Sequence, residues 1–361
     1  ILPSTCLMRL SPVMPNTACA KTITFGIPSY NAAADMDHCI TSILEGSAYA
    51  SDVEIIIVDD GSHDETPQKA DEWEARYPGI IRAVHQENGG HGMAVMAGLR
   101  EAQGVYYKVV DSDDWLDGQA LSTMLSILRG FIERDLRVDL FISNYVYEKV
   151  HEGTHNTVSY RMALPRKKVF GWDEMGRFRP DQNLLMHSLC YRTDVLRDEG
   201  LPMPAHTFYV DNIYAYVPLP RCRTMYYADI DLYRYFMGRE GQSVHEATLV
   251  KRLDQQFRVT RIMMNSFHLF DDIESSRLRS YMMGYFTMMM AICSVFTKLS
   301  DEEGADDRLK QLWADLKESD ARMYRHARYG VLGLFTNLRG RAGEKTTVGI
   351  YHLASKIFKF N

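Results

Sequence analysis

Strand-like and helix-like segments alternate along this chain from Thr22 onward, and this alternation restricts the fold more than any other feature. Residues 53–58 form a β-branched run that is typical of a strand buried on both faces. Residues 66–77 follow with helical character, including a proline suited to the first helical turn. Further strands are predicted at 23–27, 80–85, 106–110, 140–146 and 224–228, and further helices at 35–44 and 93–102. The pattern predicts an α/β fold with a mostly parallel sheet flanked by helices.

Polar or glycine-rich residues follow four of the predicted strands. The four segments are Ser29-Tyr30-Asn31, Asp59-Asp60-Gly61-Ser62, Asn88-Gly89-Gly90-His91-Gly92 and Asp111-Ser112-Asp113-Asp114. In open α/β sheets, ligands bind beyond the carboxyl ends of the strands. We therefore expect the four segments to line a single crevice.

The acidic segment after the fourth strand is a candidate metal site. Asp111 and Asp113 alternate on an extended segment, so their carboxylates point the same way. Oxygen ligands of this kind suit Mg²⁺ or Mn²⁺. The alternative is that these acids cap the next helix or lie in solvent, as Asp117 is predicted to do for a helix over 118–129. The neighbouring polar strand ends favour the metal site.

Two further segments suit a nucleotide. Asp60 could accept a hydrogen bond from the N–H of a base, or could serve only the turn, and both readings stay open. Asn88, Gly89 and Gly92 precede a predicted helix, where glycines allow close approach and the helix N-terminus favours phosphate. A flexible loop is the alternative. The segment is neither a Walker A motif nor G-x-G-x-x-G.

Other candidates lie later in the chain. Asp211 precedes a predicted helix over 212–216 and is either its N-cap or a functional acid. Arg239 lies with Gln242 and Ser243 in a loop that could close over a pyrophosphate, although a surface turn is the alternative. His245 is a weaker candidate metal ligand.

Bulk properties exclude several classes of function. The net charge of −6 and pI near 6.1 argue against a nucleic-acid partner. Six scattered cysteines imply neither a zinc site nor a disulfide scaffold, and they fit a reducing compartment such as the cytoplasm. Residues 1–20 lack the pattern of a secretory signal and are expected to form a disordered leader. The uncharged run between Arg279 and Lys298 is predicted to be a buried helix rather than a membrane span.

Together these segments resemble the family-2 glycosyltransferases with the GT-A fold. The residues that carry the resemblance are Ile27-Pro28-Ser29-Tyr30-Asn31, Val58-Asp59-Asp60-Gly61-Ser62, Asn88-Gly89-Gly90-His91-Gly92 with Gly98 and Gly104 after it, and Val110-Asp111-Ser112-Asp113-Asp114. The last is similar to the family's D-x-D metal motif. The resemblance covers about the first 240 residues.

The resemblance implies roles for individual residues. Pro28 and Tyr30 would belong to the donor site, with Tyr30 stacked on the base and Asp60 bonded to its edge. Asn88, Gly89, Gly92 and Arg239 would also contact the donor. Asp111 would serve ribose and metal, and Asp113 would bind the divalent cation, Mn²⁺ or Mg²⁺. Asp211 would be the general base, although Val210 precedes it where the family has an acid.

The implied reaction is inverting transfer of a hexosyl or N-acetylhexosaminyl group. The donor is a nucleoside diphosphate sugar, with UDP favoured and GDP or dTDP open, and the acceptor is a hydroxyl of a glycan or glycolipid in surface polysaccharide synthesis. A degenerate member that binds nucleotide or glycan without turnover is the alternative. A nucleotidyltransferase is disfavoured because residues 26–34 contain no Lys or Arg and one glycine.

The chain is predicted to divide near residue 245. Residues 21–245 would form the GT-A domain, and 246–361 a helical region. Within the latter, residues 348–360 place apolar side chains at helical spacing beside two lysines. This segment could lie on an anionic membrane as a peripheral contact, or pack against the protein's own core or a second subunit.

Overall fold

A ten-stranded mixed sheet forms the centre of the protein, and a computed structural model describes residues 21–179, 182–238 and 246–338. The predicted leader, the loop with Arg239, Gln242, Ser243 and His245, and the segment 348–360 lie outside these described residues. The proposed division at 245 therefore stays a prediction. The strands are β1 (Lys21–Ser29), β2 (Val53–Asp59), β3 (Ile81–His85), β4 (Gly104–Val109), β5 (Trp115–Leu116), β6 (Leu140–Lys149), β7 (Thr154–Val158), β8 (Val169–Phe170), β9 (Leu189–Arg192) and β10 (Met225–Met237).

The helices cover both the first half of the chain and its C-terminal part. They are α1 (Met36–Gly46), α2 (Thr66–Arg76), α3 (His91–Glu101), α4 (Gly118–Glu133), α5 (Thr193–Glu199), α6 (Asp211–Tyr216), α7 (Glu246–Lys251), α8 (Leu253–Ser266), α9 (Leu269–Asp272), α10 (Ser276–Leu299), α11 (Ala305–Ser319), α12 (Ala321–Tyr329) and α13 (Val331–Thr336). Short 3-10 turns lie at Val150–Glu152, Trp172–Glu174, Met186–Ser188 and Leu219–Arg221. The predicted α/β class with a helical C-terminal region is confirmed.

The sheet has the strand order β3-β2-β1-β4-β9-β6-β10-β5. The first four strands are parallel, as are β6 and β10, whereas β9 runs antiparallel between β4 and β6. Strand β7 extends from β6, and β8 pairs with β10. The parallel half places the ends of β1, β2 and β4 at one edge, which is where the site lies.

Close packing between β1, β4 and α3 depends on two glycines. The Tyr107 side chain is fully buried, and its hydroxyl donates to the carbonyl of Val95 at 3.0 Å. A Cβ atom at Gly26 would lie 2.1 Å from the Tyr107 Oη, and one at Gly98 would lie 2.7 Å from it. Both positions therefore need glycine so that the helix can rest on the sheet.

Several predicted boundaries were displaced. Strand β1 continues through Pro28, which pairs with Val58, because β4 has stopped pairing with β1 at Gly26. Helix α3 begins at His91 rather than Met93. Within the predicted helical region, Arg252 separates α7 from α8, and Asp320 separates α11 from α12, whose N-terminus its side chain caps. The predicted N-cap at Asp117 is confirmed, since its Oδ1 accepts from the Ala120 N–H at 3.0 Å.

Helix α10 is the centre of the helical region and packs against α8, α11, α12 and α13. It is the one helix among the described residues that is long and apolar enough to cross a membrane by length and composition. Because 67% of its most apolar window is buried inside the protein, its packing agrees with the predicted core helix.

The helical region also braces one loop of the sheet domain. The Tyr285 hydroxyl on α10 donates to Asn212 Oδ1 at 3.0 Å. On α8, Gln255 Oε1 accepts from the backbone N–H of Phe208 at 2.7 Å. Arg258 donates to the Thr207 hydroxyl at 2.8 Å. These contacts fix the segment that ends at the candidate base, Asp211.

Candidate active site

The four polar segments predicted from the sequence lie together at the carboxyl edge of β1, β2 and β4. The backbone N–H of Asp60 donates to the Ser29 carbonyl at 2.9 Å, which joins the first two segments. The Asn31 side chain accepts from the His63 N–H at 2.8 Å, and the Asn31 N–H donates to the Ser62 hydroxyl at 2.9 Å. Asp60 also contacts the glycine loop and His91 contacts Asp111, so the four segments are neighbours at one edge of the sheet, and a shared crevice stays a prediction.

Asp60 holds the glycine loop in place. Its buried carboxylate accepts three hydrogen bonds, at 2.7 Å from Gln86 Nε2, 2.8 Å from the Gly89 N–H and 2.7 Å from the Gly90 N–H. Its carbonyl accepts from the Asn88 side chain at 2.9 Å. Both carboxylate oxygens are thus engaged within the protein, and the predicted bond to a base edge stays a prediction.

The adjacent acid, Asp59, supports the same turn. Its Oδ1 accepts from the Ser62 N–H at 3.0 Å, and its Oδ2 lies 3.0 Å from His85 Nδ1. The other ring nitrogen of His85 lies 3.1 Å from Asp71. The hydrogen bond to Asp59 raises the pKa of His85; burial opposes this shift and Asp71 adds to it.

His91 connects the acidic residues of the site. It is the first residue of α3, and its Nε2 lies 2.8 Å from Asp111 Oδ1. Burial lowers the pKa of His91, but Asp111, Asp211 and Asp113 outweigh that effect and raise it overall. Conversely, burial raises the pKa of Asp111, whereas His91 and His187 bring it below its usual value. Carboxylates from two distant parts of the chain therefore affect the pKa of one imidazole.

Asp114 and Tyr233 hold the acidic turn, residues 111–114, against strand β10. The buried Tyr233 hydroxyl donates to Asp114 Oδ2 at 2.6 Å and accepts from the Asp111 N–H at 3.1 Å. Asp114 Oδ1 accepts from the Phe236 N–H at 2.8 Å. Burial, together with Asp113 and Asp111, raises the pKa of Asp114 well above its usual range. Strand β10 thus sets the position of the turn.

The described residues contain one group of three side chains suited to a cation. Ligand atoms of Asp111, Asp114 and His187 lie within 4.8 Å of one another. His187 is buried, and its Nδ1 has no hydrogen-bond partner in the protein. Burial lowers the pKa of His187 to about 4, so the ring is neutral and able to coordinate. Asp113, the ligand expected from the sequence, is half-buried beside this group.

Asp211 is the first residue of α6, and the N-cap position belongs to Val210. Burial raises the pKa of Asp211; His91 lowers it and Asp111 raises it. Tyr209, two residues earlier, has a φ of 66°, which costs a bulky residue about 1–2 kcal/mol. The backbone before Asp211 is therefore held in a strained form by its surroundings.

The loop before Asp211 is joined to the glycine loop. The His206 N–H donates to the Gly89 carbonyl at 2.7 Å. A Cβ atom at Gly92 would lie 3.2 Å from a methyl group of Val210. Gly90 has a φ of 85°, a conformation that favours glycine. The glycines thus allow close contact between two protein loops.

The two N-terminal donor-site candidates differ in exposure. Pro28 is buried in β1, whereas Tyr30 is 49% exposed at the strand end. The His63 ring lies 6.4 Å away from the Tyr30 ring, nearly perpendicular to it. An exposed aromatic face at this edge is available to a base, so the stacking role of Tyr30 stays a prediction.

Sequence reasoning missed three residues of the site: Tyr233, His187 and Lys108. Lys108 had a readable signal, since it is one charged residue within an otherwise apolar strand. It is fully buried, with its Nζ 2.7 Å from the His187 carbonyl and 3.3 Å from that of Leu189. Burial lowers the pKa of Lys108 to about 8. Tyr233 and His187 reach the site only through tertiary pairing.

Comparisons with known proteins agree with this architecture. The model of glycosyl transferase family 2 matches residues 24–174. EpsH of Bacillus subtilis (strain 168) is 27% identical over 234 residues, which cover 60% of this chain and 65% of EpsH. A chondroitin synthase of Escherichia coli is 34% identical over 107 residues, covering 30% of this chain and 15% of the synthase. The chain thus spans less than two-thirds of each relative.

Solved structures share the fold. TarS 1–349 of S. aureus, in complex with UDP-GlcNAc, matches with a TM-score of 0.61 at 16% identity, over 92% of both chains. The mannosyltransferase PcManGT of Pyrobaculum calidifontis, in complex with GDP-Man and Mn²⁺, matches with a TM-score of 0.54 at 15% identity, over 97% of this chain and 90% of that one. The family model identifies residues 24–174 as a family-2 glycosyltransferase domain, and the chain has the GT-A-type fold of these solved structures.

Proposed function

We propose that this chain transfers a sugar, with inversion, from a nucleoside diphosphate donor to a hydroxyl of a glycan or glycolipid acceptor. The observation that carries the proposal is the contact of His91 with Asp111 at 2.8 Å, with Asp113 and Asp211 near enough to raise the pKa of the same imidazole. The name of the chondroitin synthase supports an acceptor in polysaccharide synthesis. The cytoplasm remains the proposed compartment; the four described cysteines are free and buried.

The donor would lie across the carboxyl edge of β1 and β2. Tyr30 offers an exposed aromatic face for the base, and the Asn88–Gly92 loop is hydrogen-bonded to Asp60 after β2. The nucleotide-sugars bound by TarS and PcManGT support this class of donor, as UDP-GlcNAc and GDP-Man respectively. We favour a UDP-sugar of the hexosyl or N-acetylhexosaminyl type, with Arg239 as a further donor contact.

The acidic turn fits a divalent cation, Mn²⁺ or Mg²⁺. The observation that supports the fit is the unpartnered Nδ1 of His187 beside Asp111 and Asp114. Asp111 would hold the ion, with Asp113 as the ligand implied by the D-x-D resemblance. When bound, the ion would supply positive charge to the departing diphosphate. The complex of PcManGT with Mn²⁺ supports this cofactor.

Asp211 would act as the general base. Its carboxylate would take the proton of the acceptor hydroxyl while that oxygen forms a bond to the anomeric carbon. The bond from that carbon to the diphosphate oxygen breaks, and its electron pair leaves with the diphosphate. Attack from the face opposite the leaving group inverts the anomeric centre. Burial keeps the Asp211 pKa above its usual value, which favours proton uptake.

The competing proposal is a non-catalytic member that binds nucleotide or glycan. The presence of Asp60, Asp111, Asp113 and Asp211 together argues against it. Hydrolysis of donor in the absence of acceptor separates the two, since a binding protein releases no nucleoside diphosphate.

The test combines donor binding and turnover. We expect one nucleotide-sugar among UDP, GDP and dTDP donors to raise the melting temperature, with a larger shift when Mn²⁺ is present. Asp113→Ala should lose the Mn²⁺-dependent part of the shift. Asp211→Asn should keep the shift and lose roughly 10²- to 10⁴-fold in turnover. The control Asp135→Asn removes one exposed carboxylate at a distant turn and should change neither.

The absence of any donor-induced shift would reject the proposal. Full turnover by Asp211→Asn would instead move the base to another residue, and an unchanged Mn²⁺ effect in Asp113→Ala would remove that residue as a ligand.

A further inference from the structure

A solvent-open cavity of about 390 Å³ lies between α8 and α11 in the helical region. Small-ligand sites in proteins usually enclose about 300–1,000 Å³, so this volume is large enough for a sugar or a similar group. The polar residues that line it are Asp254, Arg258, Arg261, Asn265 and Arg308, beside two apolar side chains of α8. We call this space the α8–α11 cavity.

Two ion pairs join α8 to α11 at this cavity. Arg261 Nη2 on α8 lies 3.1 Å from a carboxylate oxygen of Asp315 on α11. In the opposite direction, Arg308 Nε on α11 lies 3.1 Å from Asp254 on α8. Positions 254, 258, 261 and 265 are separated by three or four residues, so they share one face of α8. Arg258 therefore lies between the two ion pairs on the face that lines the cavity.

Arg258 differs from the other two arginines of the cavity in having no acidic partner within the described residues. Its Nη1 donates to the Thr207 hydroxyl at 2.8 Å, and no carboxylate of residues 21–179, 182–238 or 246–338 forms an ion pair with it. The other two arginines are paired, and Arg308 also lies 2.8 Å from Glu302. One positive charge at the cavity is therefore left without a counterion in the described part of the chain.

Other N–H groups at the cavity are also left for a ligand. Arg261 uses Nε and Nη2 on Asp315, and its Nη1 forms no hydrogen bond to a described residue. The Asn265 side chain is exposed, and its amide likewise has no hydrogen bond to the described part of the chain. Guanidinium groups match the planar oxygen pairs of carboxylates and phosphates. This set of donors with one free positive charge fits a singly charged oxyanion.

The cavity lies beside the loop that leads to the candidate base. Arg258 contacts Thr207, which is four residues before Asp211. Four residues of fully extended chain span at most about 14 Å. A glycan whose hydroxyl lies at Asp211 could therefore place a neighbouring part of its chain at Arg258.

We propose that the α8–α11 cavity binds a carboxylate or phosphodiester group of the glycan acceptor. Arg258 neutralises the charge of this group, and Arg261 and Asn265 donate further hydrogen bonds to its oxygens. The acceptor is then a chain that carries negative charge at a distance from the reacting hydroxyl. The identity of the ligand as acceptor rests on the proposed transfer reaction, whereas the anion site does not.

Saturation-transfer NMR of the full chain tests the anion site directly. The probes are methyl glucuronide for a carboxylate and glycerophosphoglycerol for a phosphodiester, with methyl glucoside and glycerol as their neutral counterparts. We expect binding of at least one charged probe and of neither neutral compound. Arg258→Gln should weaken that binding at least about tenfold, because charge-assisted hydrogen bonds are the strong ones. The matched control is Arg277→Gln, which changes an exposed arginine of α10 outside the cavity and should bind like the wild type.

Two further variants separate anion binding from a purely structural role of Arg258. Asn265→Asp leaves the contact with Thr207 intact and adds a negative charge to the cavity, so it should weaken binding about tenfold. Asn156→Asp, at an exposed position of β7, is its control and should have no effect. Thr207→Val removes the hydroxyl that Arg258 contacts and should leave the affinity for the probe unchanged.

A transfer assay tests whether the anion belongs to the acceptor. The substrates are a disaccharide with a glucuronate beside the reacting sugar, or with a glycerol phosphodiester if that probe binds, and the same disaccharide without the charge. The wild type should prefer the charged form at least about tenfold in kcat/KM, through a lower KM. Arg258→Gln should lose this preference and keep the donor-induced rise in melting temperature.

Any of four results would overturn the proposal. These are equal binding of charged and neutral probes, wild-type affinity in Arg258→Gln, a loss in Thr207→Val as large as that in Arg258→Gln, and no preference of the wild type for the charged acceptor. The probe assay does not use turnover. A wild type that binds the charged probe through Arg258 but transfers no sugar would contradict the proposed reaction and leave the anion site in place.

Discussion

Asp60 offers a test of whether the glycine loop is held by the protein itself or organised only by a ligand. Asp60→Asn keeps the shape of the side chain and removes its charge and one acceptor oxygen. The carboxylate accepts from Gln86 Nε2 and the Gly89 N–H on one oxygen, and from the Gly90 N–H on the other. The asparagine amide has one acceptor oxygen, so it can accept either from Gln86 and Gly89 or from Gly90, but not from both groups.

The expected cost follows from these three bonds. Hydrogen bonds to a charged group contribute about 1.5–3 kcal/mol each, and neutral ones about 0.5–1.5 kcal/mol. If the amide oxygen takes the place of Oδ1, the bonds from Gln86 and Gly89 are kept but become neutral, and each then contributes about 1 kcal/mol less. The Gly90 N–H is left without an acceptor, which costs about 2 kcal/mol. Burying an amide in place of a carboxylate recovers part of this total. We expect a net loss of about 2–3 kcal/mol in the local stability of the loop.

Hydrogen exchange measures that loss directly. In ligand-free protein, the amides of Gly89 and Gly90 should exchange about 30- to 150-fold faster in Asp60→Asn, since 1.4 kcal/mol corresponds to a factor of ten. Asp71→Asn is the control, because it removes a carboxylate that is 67% exposed and contacts the same strand end through His85. Its loop amides should exchange at the wild-type rate. Wild-type exchange in Asp60→Asn would refute the bracing role and leave contact with a base as the reason for this acid.

Two further predictions concern stability. Gly26→Ala should destabilise the protein by about 1–3 kcal/mol, because the new Cβ would lie 2.1 Å from the buried Tyr107 hydroxyl. The control is Gly284→Ala inside α10, where the new Cβ would meet nothing within 4 Å, and it should stabilise the protein by about 0.5–1 kcal/mol. Urea unfolding measures the free energy of unfolding of both variants. Equal changes in the two variants would contradict the packing argument. The hydrogen bond to Asp59 raises the pKa of His85. The stability that protonated His85 adds to the folded protein is therefore complete below the unfolded-state pKa near 6.5, and it is lost as the pH rises through the higher folded-state pKa. The stability advantage of the wild type over His85→Gln, below about 1 kcal/mol at this half-exposed site, should therefore shrink between pH 6 and 9 in thermal melts, and a constant or growing difference would contradict it.

The parallel half of the sheet could be predicted because each of its strands has a recognisable pattern in its own short stretch of sequence. The run at 53–58 needs burial on both faces, and β2 is buried along its whole length. Polar residues at strand ends predicted the crevice for the same reason, since parallel strands end at one edge. The acids at 111–114 could be identified as a candidate site from the sequence. Their contact residues, Tyr233 and His187, could not be identified in the same way.

The later part of the fold depends on contacts between distant segments. β10 is longer than its predicted 224–228 because it pairs with β6 as far as Met237, through two irregular registers. Tyr233 lies on that extension, and nothing in its local sequence distinguishes it from neighbouring tyrosines. His187 lies within the 3-10 turn Met186–Ser188, and its carbonyl accepts a hydrogen bond from Lys108. Such residues have no periodic signature, because tertiary pairing alone brings them to the acidic turn.

Lys108 continues the link between β4 and β9 beyond the point where their backbone pairing ends. Strands β4 and β9 pair at Tyr106 and Tyr107, and Lys108 then donates to the carbonyls of His187 and Leu189 through its side chain. The lysine side chain takes the place of the backbone ladder there, so those carbonyls stay hydrogen-bonded where the pairing of the two strands ends. The length of one lysine therefore decides whether the turn that carries His187 has a donor for its carbonyl. A shorter side chain at this position would leave both buried carbonyls without that donor.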